Sequence, residues 1–155
     1  MSRPVYVAVC GASNATPDEA TAAEEIGRLL AQAGAILVTG GLGGVMEAAA
    51  KGARAAGGTA IGLLPSDRHE DGNAYNTVVV PTGFGEARNA LVVRTADALI
   101  AVGGEFGTLS EIALALRTGK RVVALSSWEL SRPGLDIPVV VALTPAEAVQ
   151  RALTS

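Results

Sequence analysis

Cysteine, histidine and lysine are scarce in this chain, and each scarcity excludes a class of site. Cysteine and histidine occur once each, as Cys10 and His69, and lysine occurs only as Lys51 and Lys120. A single cysteine excludes an intrachain disulfide and any metal site built from several cysteines. His69 lies in a polar segment without a set of partners at metal-ligand spacing, so we expect no metal site. Cys10 ends a hydrophobic run and is expected to be a small buried side chain.

Charge is also sparse: 17% of the residues are charged, and the net charge is −3. Nucleic-acid binding requires clustered cations, so we expect no DNA or RNA partner. The thin charge favours extra buried surface, as in a homodimer or homotetramer, although an alanine-rich composition also explains it. No apolar run reaches the roughly 18 residues of a membrane span, and the N-terminus lacks a signal-peptide core. These absences predict no membrane association and a cytoplasmic location.

Short apolar runs alternate along the chain with longer alanine-rich segments. The run Ile36-Leu37-Val38 is continuously apolar, which is typical of a strand covered on both faces of a parallel sheet. The pattern predicts a single domain over residues 1–155: an α/β, Rossmann-like, doubly wound, mostly parallel sheet of about seven strands in three layers. The predicted strands are Val5–Cys10, Ala35–Thr39, Thr59–Leu64, Thr77–Pro81, Ala98–Val102, Arg121–Leu125 and Val139–Ala142. The predicted helices are Asp18–Ala33, Gly44–Ala56, Glu86–Thr95, Thr108–Thr118 and Pro145–Leu153.

Three predicted strands end in glycine or small polar residues just before a helix. Ligands of open parallel sheets bind at the carboxyl ends of the strands, where glycine lets backbone amides approach an anion. Tight packing of strand on helix is the alternative explanation for any one of these turns. The residues expected to bind a phosphate-bearing small molecule are Gly11, Ser13, Gly40, Gly41, Gly43, Gly44, Gly103, Gly104, Gly107 and Thr108. No turn carries the P-loop lysine or the dinucleotide glycine spacing, which disfavours ATP hydrolysis and dinucleotide cofactors.

Three side chains near these turns could carry chemistry. Glu111 lies three residues after Thr108, so it either forms a capping box with it or directs a carboxylate into the ligand site. Arg88 could clamp a phosphate or carboxylate with its rigid fork, or could simply be an exposed helix residue. Asn89 could hydrogen-bond a base or sugar.

Two segments, residues 40–48 and residues 103–111, together resemble the LOG-type Rossmann superfamily over nearly the whole chain. They have the sequences Gly-Gly-Leu-Gly-Gly-Val-Met-Glu-Ala and Gly-Gly-Glu-Phe-Gly-Thr-Leu-Ser-Glu. This superfamily includes nucleoside 5′-monophosphate phosphoribohydrolases, often mislabelled as lysine decarboxylases, and molybdenum cofactor carrier proteins. The resemblance implies that Glu111 and Arg88 are the catalytic pair of the hydrolases, and that relatives are usually dimers or larger.

The chain departs from the hydrolases at several positions. Val102 replaces their proline, both Glu105 and Phe106 separate Gly104 from Gly107 where the hydrolases have one residue, and Asn89 replaces a lysine. These departures make the sequence most similar to the small-domain branch with the cofactor carriers.

Two functions follow from the resemblance. The first is binding of a nucleotide, phosphate or molybdopterin-type ligand, with no cofactor required. The second is N-glycosidic cleavage of a nucleoside monophosphate. Lysine decarboxylation, which generally uses pyridoxal phosphate on a lysine, is not expected, because Lys51 and Lys120 are predicted to lie away from the ligand turns.

Overall fold

A computed structural model describes residues 2–154 and shows a seven-stranded sheet with five α-helices. Every strand predicted from the sequence is present, with ends that shift by one residue at most. The strands are β1 (Tyr6–Gly11), β2 (Ile36–Thr39), β3 (Ala60–Leu64), β4 (Val78–Pro81), β5 (Ala98–Val102), β6 (Arg121–Leu125) and β7 (Val139–Ala142). The helices are α1 (Pro17–Gln32), α2 (Val45–Ala55), α3 (Arg88–Thr95), α4 (Phe106–Arg117) and α5 (Pro145–Leu153).

The strand order is β4-β3-β2-β1-β5-β6-β7, and all neighbouring strands are parallel. The chain winds outward from β1 to β4, then returns to the centre and winds the other way from β5 to β7. The predicted α/β, doubly wound sheet is therefore confirmed, and it is parallel throughout. Its topological switch point lies between β1 and β5, the position where ligands of such sheets usually bind.

The helices cover both faces of the sheet, which confirms the three layers. Buried residues of α1, α2 and α5 form one core with one side of the strands, and buried residues of α3 and α4 form the other. Helices α1 and α2 pack with almost no space between their backbones. A Cβ atom on Gly27 would lie 1.9 Å from the carbonyl oxygen of Ala49.

Two helices begin with side-chain caps. Thr16 and Glu19 form a reciprocal capping box at the start of α1. Thr144 caps α5, and Pro145 follows in the first turn. Among residues 2–154 no helix has the length and apolarity to cross a bilayer.

Two predicted helix starts are wrong. Helix α3 begins at Arg88 rather than Glu86, because Gly85–Ala87 form a separate 3₁₀ turn. Helix α4 begins at Phe106, two residues before Thr108, and its N-cap is Glu105, which makes no side-chain capping bond.

Candidate functional site

A cavity of about 440 Å³ opens at the switch point, between the turn after β1 and the turn after β5. It gathers residues that are distant in sequence because β1 and β5 are neighbours in the sheet. Seven of the predicted site residues line it: Gly11, Ser13, Arg88, Asn89, Gly107, Thr108 and Glu111.

The first turn of α4 supplies the backbone donors of this cavity. The first turn of a helix leaves N–H groups without intrahelical acceptors. In α4 these belong to Phe106, Gly107 and Thr108, since the Leu109 N–H is the first to bond back, to the Glu105 carbonyl. Together with the positive end of the helix dipole, these amides favour an anion.

Arg88 is the cation of the cavity. Its side chain is half-buried, and its Nε atom is buried without a hydrogen-bond partner among residues 2–154. It forms no ion pair within the same residues. Burial lowers the pKa of Arg88, and the charge of Glu111 partly opposes that shift. A partly buried guanidinium without an ion pair favours an anionic partner, because burying a charge without compensation is unfavourable.

Gly40 makes room for this guanidinium. A Cβ atom at position 40 would lie 1.7 Å from Nη1 of Arg88 and 2.8 Å from the sulfur of Met46. Gly40 does not itself line the cavity. The glycine therefore acts through the position of Arg88.

Glu111 is the acid of the cavity, and it is only 8% exposed. Its Oε2 atom accepts a hydrogen bond from Cys10 Sγ at 3.0 Å. Burial raises the pKa of Glu111 to about 7, although the Cys10 hydrogen bond and the Arg88 charge both act to lower it. The capping box with Thr108 is wrong, because Thr108 lies inside the helix and the Glu111 carboxyl turns toward β1.

Cys10 is buried, as the sequence predicts. Burial, followed by the nearby Glu111 carboxyl, raises its pKa well above the ordinary thiol value. The thiol is therefore a hydrogen-bond donor at neutral pH. This pairing was invisible in the sequence, since 101 positions separate the two residues.

Asn89 lies beside the first turn of α4. Its Nδ2 donates to Ser110 Oγ at 3.3 Å, and Ser110 Oγ donates to the Gly107 carbonyl at 2.6 Å. The Asn89 side chain thus links α3 to the first turn of α4 and also lines the cavity.

Six predicted ligand residues lie outside the cavity lining, and close packing accounts for all of them except Gly43. They are Gly40, Gly41, Gly43, Gly44, Gly103 and Gly104.

The glycines after β2 serve loop contacts. The Gly41 carbonyl accepts hydrogen bonds from Asn73 and Asn76. At Gly44, where φ is +64°, a Cβ atom would lie 2.1 Å from the Ala12 carbonyl oxygen. The turns after β1 and β2 therefore pack backbone against backbone.

The glycines after β5 are covered by other side chains. A Cβ atom on Gly103 would lie 1.6 Å from a carboxylate oxygen of Glu19, and one on Gly104 would lie 2.2 Å from Thr108 Oγ1. A carboxylate therefore lies over Gly103, whereas the N–H groups of residues 106–108 have no intrahelical acceptor.

Several cavity residues were not among the predicted ones. Ala12, Asn14, Met46, Glu105 and Phe106 complete the lining. Glu105 and Phe106 were noticeable in the sequence only as an altered spacing. Met46 carried no signal, because its place in the lining depends on the start of α2 lying near the Arg88 side chain, where both residues approach Gly40.

The expectation that Lys51 lies away from the glycine turns is wrong. It lines a second cavity of about 400 Å³, together with Ser13, Asn14, Gly44 and Glu47. Lys120 instead donates hydrogen bonds to the Val93 and Arg94 carbonyls at the end of α3.

The chain belongs to the SLOG cluster4 family, whose sequence model matches residues 4–149. A protein of Archaeoglobus fulgidus with no characterised function is 42% identical to it over 97% of this chain and 96% of the relative. The LOG superfamily, which the sequence motifs resemble, is a coarser description of the chain than this family.

Two solved structures at substantial identity share the fold. The molybdenum cofactor binding protein from the phototrophic bacterium Rippkaea orientalis superposes with a TM-score of 0.88 at 36% identity, covering 97% of this chain and 96% of that one. The molybdenum cofactor carrier protein of Chlamydomonas reinhardtii superposes with a TM-score of 0.82 at 35% identity, covering 96% and 95%.

Proposed function

We propose that this member of the SLOG cluster4 family binds a phosphorylated cofactor or nucleotide, with the phosphate between the first turn of α4 and Arg88. The observation that carries the proposal is the Arg88 guanidinium, half-buried in the cavity with an unpartnered Nε and no ion pair within residues 2–154. A phosphate would receive both the Arg88 fork and the free amides of residues 106–108. Charge-assisted bonds of this kind are about twice as strong as neutral ones.

A molybdopterin-type ligand fits the donor set at its phosphate end. The two structural relatives support this class, since one is described as a molybdenum cofactor binding protein and the other as a carrier of that cofactor. Bound in this way, the cofactor would bring its own metal and its own redox chemistry. The contribution of this chain is to hold the phosphate, through Arg88 and α4, and to exclude water from the buried end near Glu111.

The test is calorimetry with adenosine 5′-monophosphate, a phosphorylated pterin and inorganic phosphate, on wild type, Arg88→Ala and Arg94→Ala. Arg94 lies in the same helix α3, is exposed and is outside the cavity lining. We expect Arg88→Ala to weaken binding of a phosphorylated ligand about tenfold or more, because a charged hydrogen bond is lost. Arg94→Ala should bind as wild type does. Equal losses in both variants, or no binding to wild type, would contradict the proposal.

A second candidate function is cleavage of a nucleoside monophosphate, and Glu111 is the observation that favours it. Its carboxyl is buried in the same cavity and has a pKa near 7, which suits proton transfer at neutral pH. In this reaction water attacks C1′ of the ribose as the bond from C1′ to the base breaks. Glu111 would take the proton from that water, or stabilise the positive charge at C1′, and the departing base would take up a proton. The products are free base and ribose 5-phosphate.

Release of free base separates the two functions. A panel of nucleoside monophosphates is incubated with wild type and with Glu111→Ala, and the base is quantified by chromatography. Release that disappears in Glu111→Ala would establish the glycosidase and overturn a role in binding alone. No release, combined with binding that depends on Arg88, would overturn the glycosidase.

A further inference from the structure

Phe106 is unusually exposed for a large apolar side chain. It is the first residue of α4, 78% of its surface is accessible, and it lines the cavity. An aromatic ring at the edge of a polar cavity offers a flat surface to whatever enters.

The ring lies against Trp128 of the segment that follows β6. The two ring centroids are 6.0 Å apart, with planes tilted by 39°. The Trp128 indole N–H donates to the Glu105 carbonyl at 3.0 Å, and Ser127 Oγ donates to the Gly103 carbonyl at 2.5 Å. Residues 127 and 128 therefore hold the turn at residues 103–105, which directly precedes Phe106. A ring supported in this way loses little conformational freedom when a ligand contacts its open face.

We infer that Phe106 is a stacking surface for the planar heteroaromatic ring of the ligand, next to the phosphate at the start of α4. The inference rests on the proposed function and adds the second half of the ligand. Phe106 contributes both a free backbone amide for the anion and a ring for a π-face. The ligand class is thus a phosphate joined through a short spacer to a purine- or pterin-type ring, rather than a sugar phosphate alone.

The single tryptophan of the chain makes this directly measurable. Trp128 is the only tryptophan, and its contact with Phe106 makes its fluorescence a reporter of what covers that ring. The titrants are adenosine 5′-monophosphate, which has ring and phosphate, and ribose 5-phosphate, which has the phosphate alone. The proteins are wild type, Phe106→Ala, Phe106→Leu and Phe106→Tyr, with affinities taken from calorimetry in parallel.

Loss of the ring should weaken binding of adenosine 5′-monophosphate about tenfold in Phe106→Ala, since the base then loses its aromatic stacking partner. Phe106→Leu keeps apolar bulk without a π-face and should fall nearly as far, whereas Phe106→Tyr should stay within about threefold of wild type. Ribose 5-phosphate should bind all four proteins alike. Binding of adenosine 5′-monophosphate should alter Trp128 emission in wild type and in Phe106→Tyr.

The failures are distinguishable. If adenosine 5′-monophosphate binds wild type and Phe106→Ala equally while Arg88→Ala loses binding, the stacking inference is overturned and the phosphate site stands. If Phe106→Ala also loses ribose 5-phosphate, the residue shapes the helix start rather than contacting a ring, and the inference is again overturned. If no phosphorylated ligand binds wild type, the proposed function fails and this inference fails with it.

Discussion

Cys10 donates a hydrogen bond from Sγ to Oε2 of Glu111 over 3.0 Å, and this bond joins the end of β1 to α4 across the switch point. Both partners are buried. The thiol therefore fixes which way the Glu111 carboxyl faces. It also sets part of the electrostatic environment in which that carboxyl titrates.

Replacing the thiol should raise the pKa of Glu111 further above its present value of about 7. The Cys10 hydrogen bond is one of the interactions that lower this pKa against the dominant effect of burial. Cys10→Ala removes the donor, and Cys10→Ser keeps a hydroxyl donor at the same position. We expect carboxyl-carbon NMR titration to give a higher pKa in Cys10→Ala than in Cys10→Ser. A pKa that falls in Cys10→Ala would contradict this account of the buried pair.

Glu111 should make the folded protein less stable as pH rises. Its pKa is raised from the ordinary value of 4.5 to about 7 in the folded state. The folded state thus holds the proton more tightly than the unfolded chain does, and this stabilisation is complete below pH 4.5 and lost as pH rises through 7. The loss amounts to about 3 kcal/mol, since one pKa unit corresponds to about 1.4 kcal/mol.

Glu111→Gln isolates this effect, because the amide cannot titrate and its oxygen can still accept from Cys10. The free energy of unfolding is measured by urea denaturation between pH 4 and 8 for both proteins. The difference between wild type and Glu111→Gln should change steadily in favour of the variant as pH rises. Parallel curves for the two proteins would show that Glu111 titrates alike in the folded and unfolded states, which would contradict a raised pKa in the folded protein.

The order of the elements was predictable from this sequence, whereas the contents of the cavity were only partly so. Continuous apolar runs such as residues 36–38 identify buried parallel strands by composition alone. The spatial strand order, and with it the meeting of Cys10 with Glu111, depends on which strands become neighbours. The predicted start of α4 was two residues too late. Its N-cap, Glu105, makes no side-chain capping bond, whereas Thr108 is of a residue type that commonly caps helices. The sequence predicted that Gly40 binds phosphate, whereas the structure places the Arg88 guanidinium against this glycine.

A methyl group at position 40 should weaken phosphate binding without a ligand contact of its own. In Gly40→Ala the new Cβ would occupy the place of the Arg88 guanidinium, which is the flexible end of a side chain and must move away. We expect calorimetry to show about a tenfold weaker affinity for adenosine 5′-monophosphate, comparable to losing one charged hydrogen bond.

Gly43→Ala is the matched control for this prediction. A Cβ atom there would meet only ordinary contacts, the nearest at 3.4 Å from the Ser13 carbonyl oxygen. It should bind as wild type does. The reverse outcome would be weak binding in Gly43→Ala and normal binding in Gly40→Ala. It would indicate that the phosphate binds at the glycines after β2.

Gly27→Ala should destabilise the protein although alanine is the better helix former. Alanine gains about 1 kcal/mol of helix propensity over glycine. Against this, its Cβ would lie 1.9 Å from the backbone oxygen of Ala49, so α1 and α2 must separate. Overpacking of a core commonly costs about 1–3 kcal/mol, and we expect a net loss in the free energy of unfolding by urea denaturation.

Gly34→Asn, just after the same helix, controls for the loss of a glycine. No atom lies within 4 Å of a Cβ there, and asparagine tolerates its φ of +77°. Its stability should stay near that of wild type. A Gly27→Ala protein as stable as Gly34→Asn would show that the two helices can move apart freely.

The most direct measurement is a crystal structure of the protein with adenosine 5′-monophosphate bound. We expect the phosphate to lie within hydrogen-bond distance of the Arg88 guanidinium and of the backbone amides of residues 106–108, with Glu111 facing the ligand. A phosphate bound instead at the Gly41–Gly44 turn, away from Arg88, would contradict it.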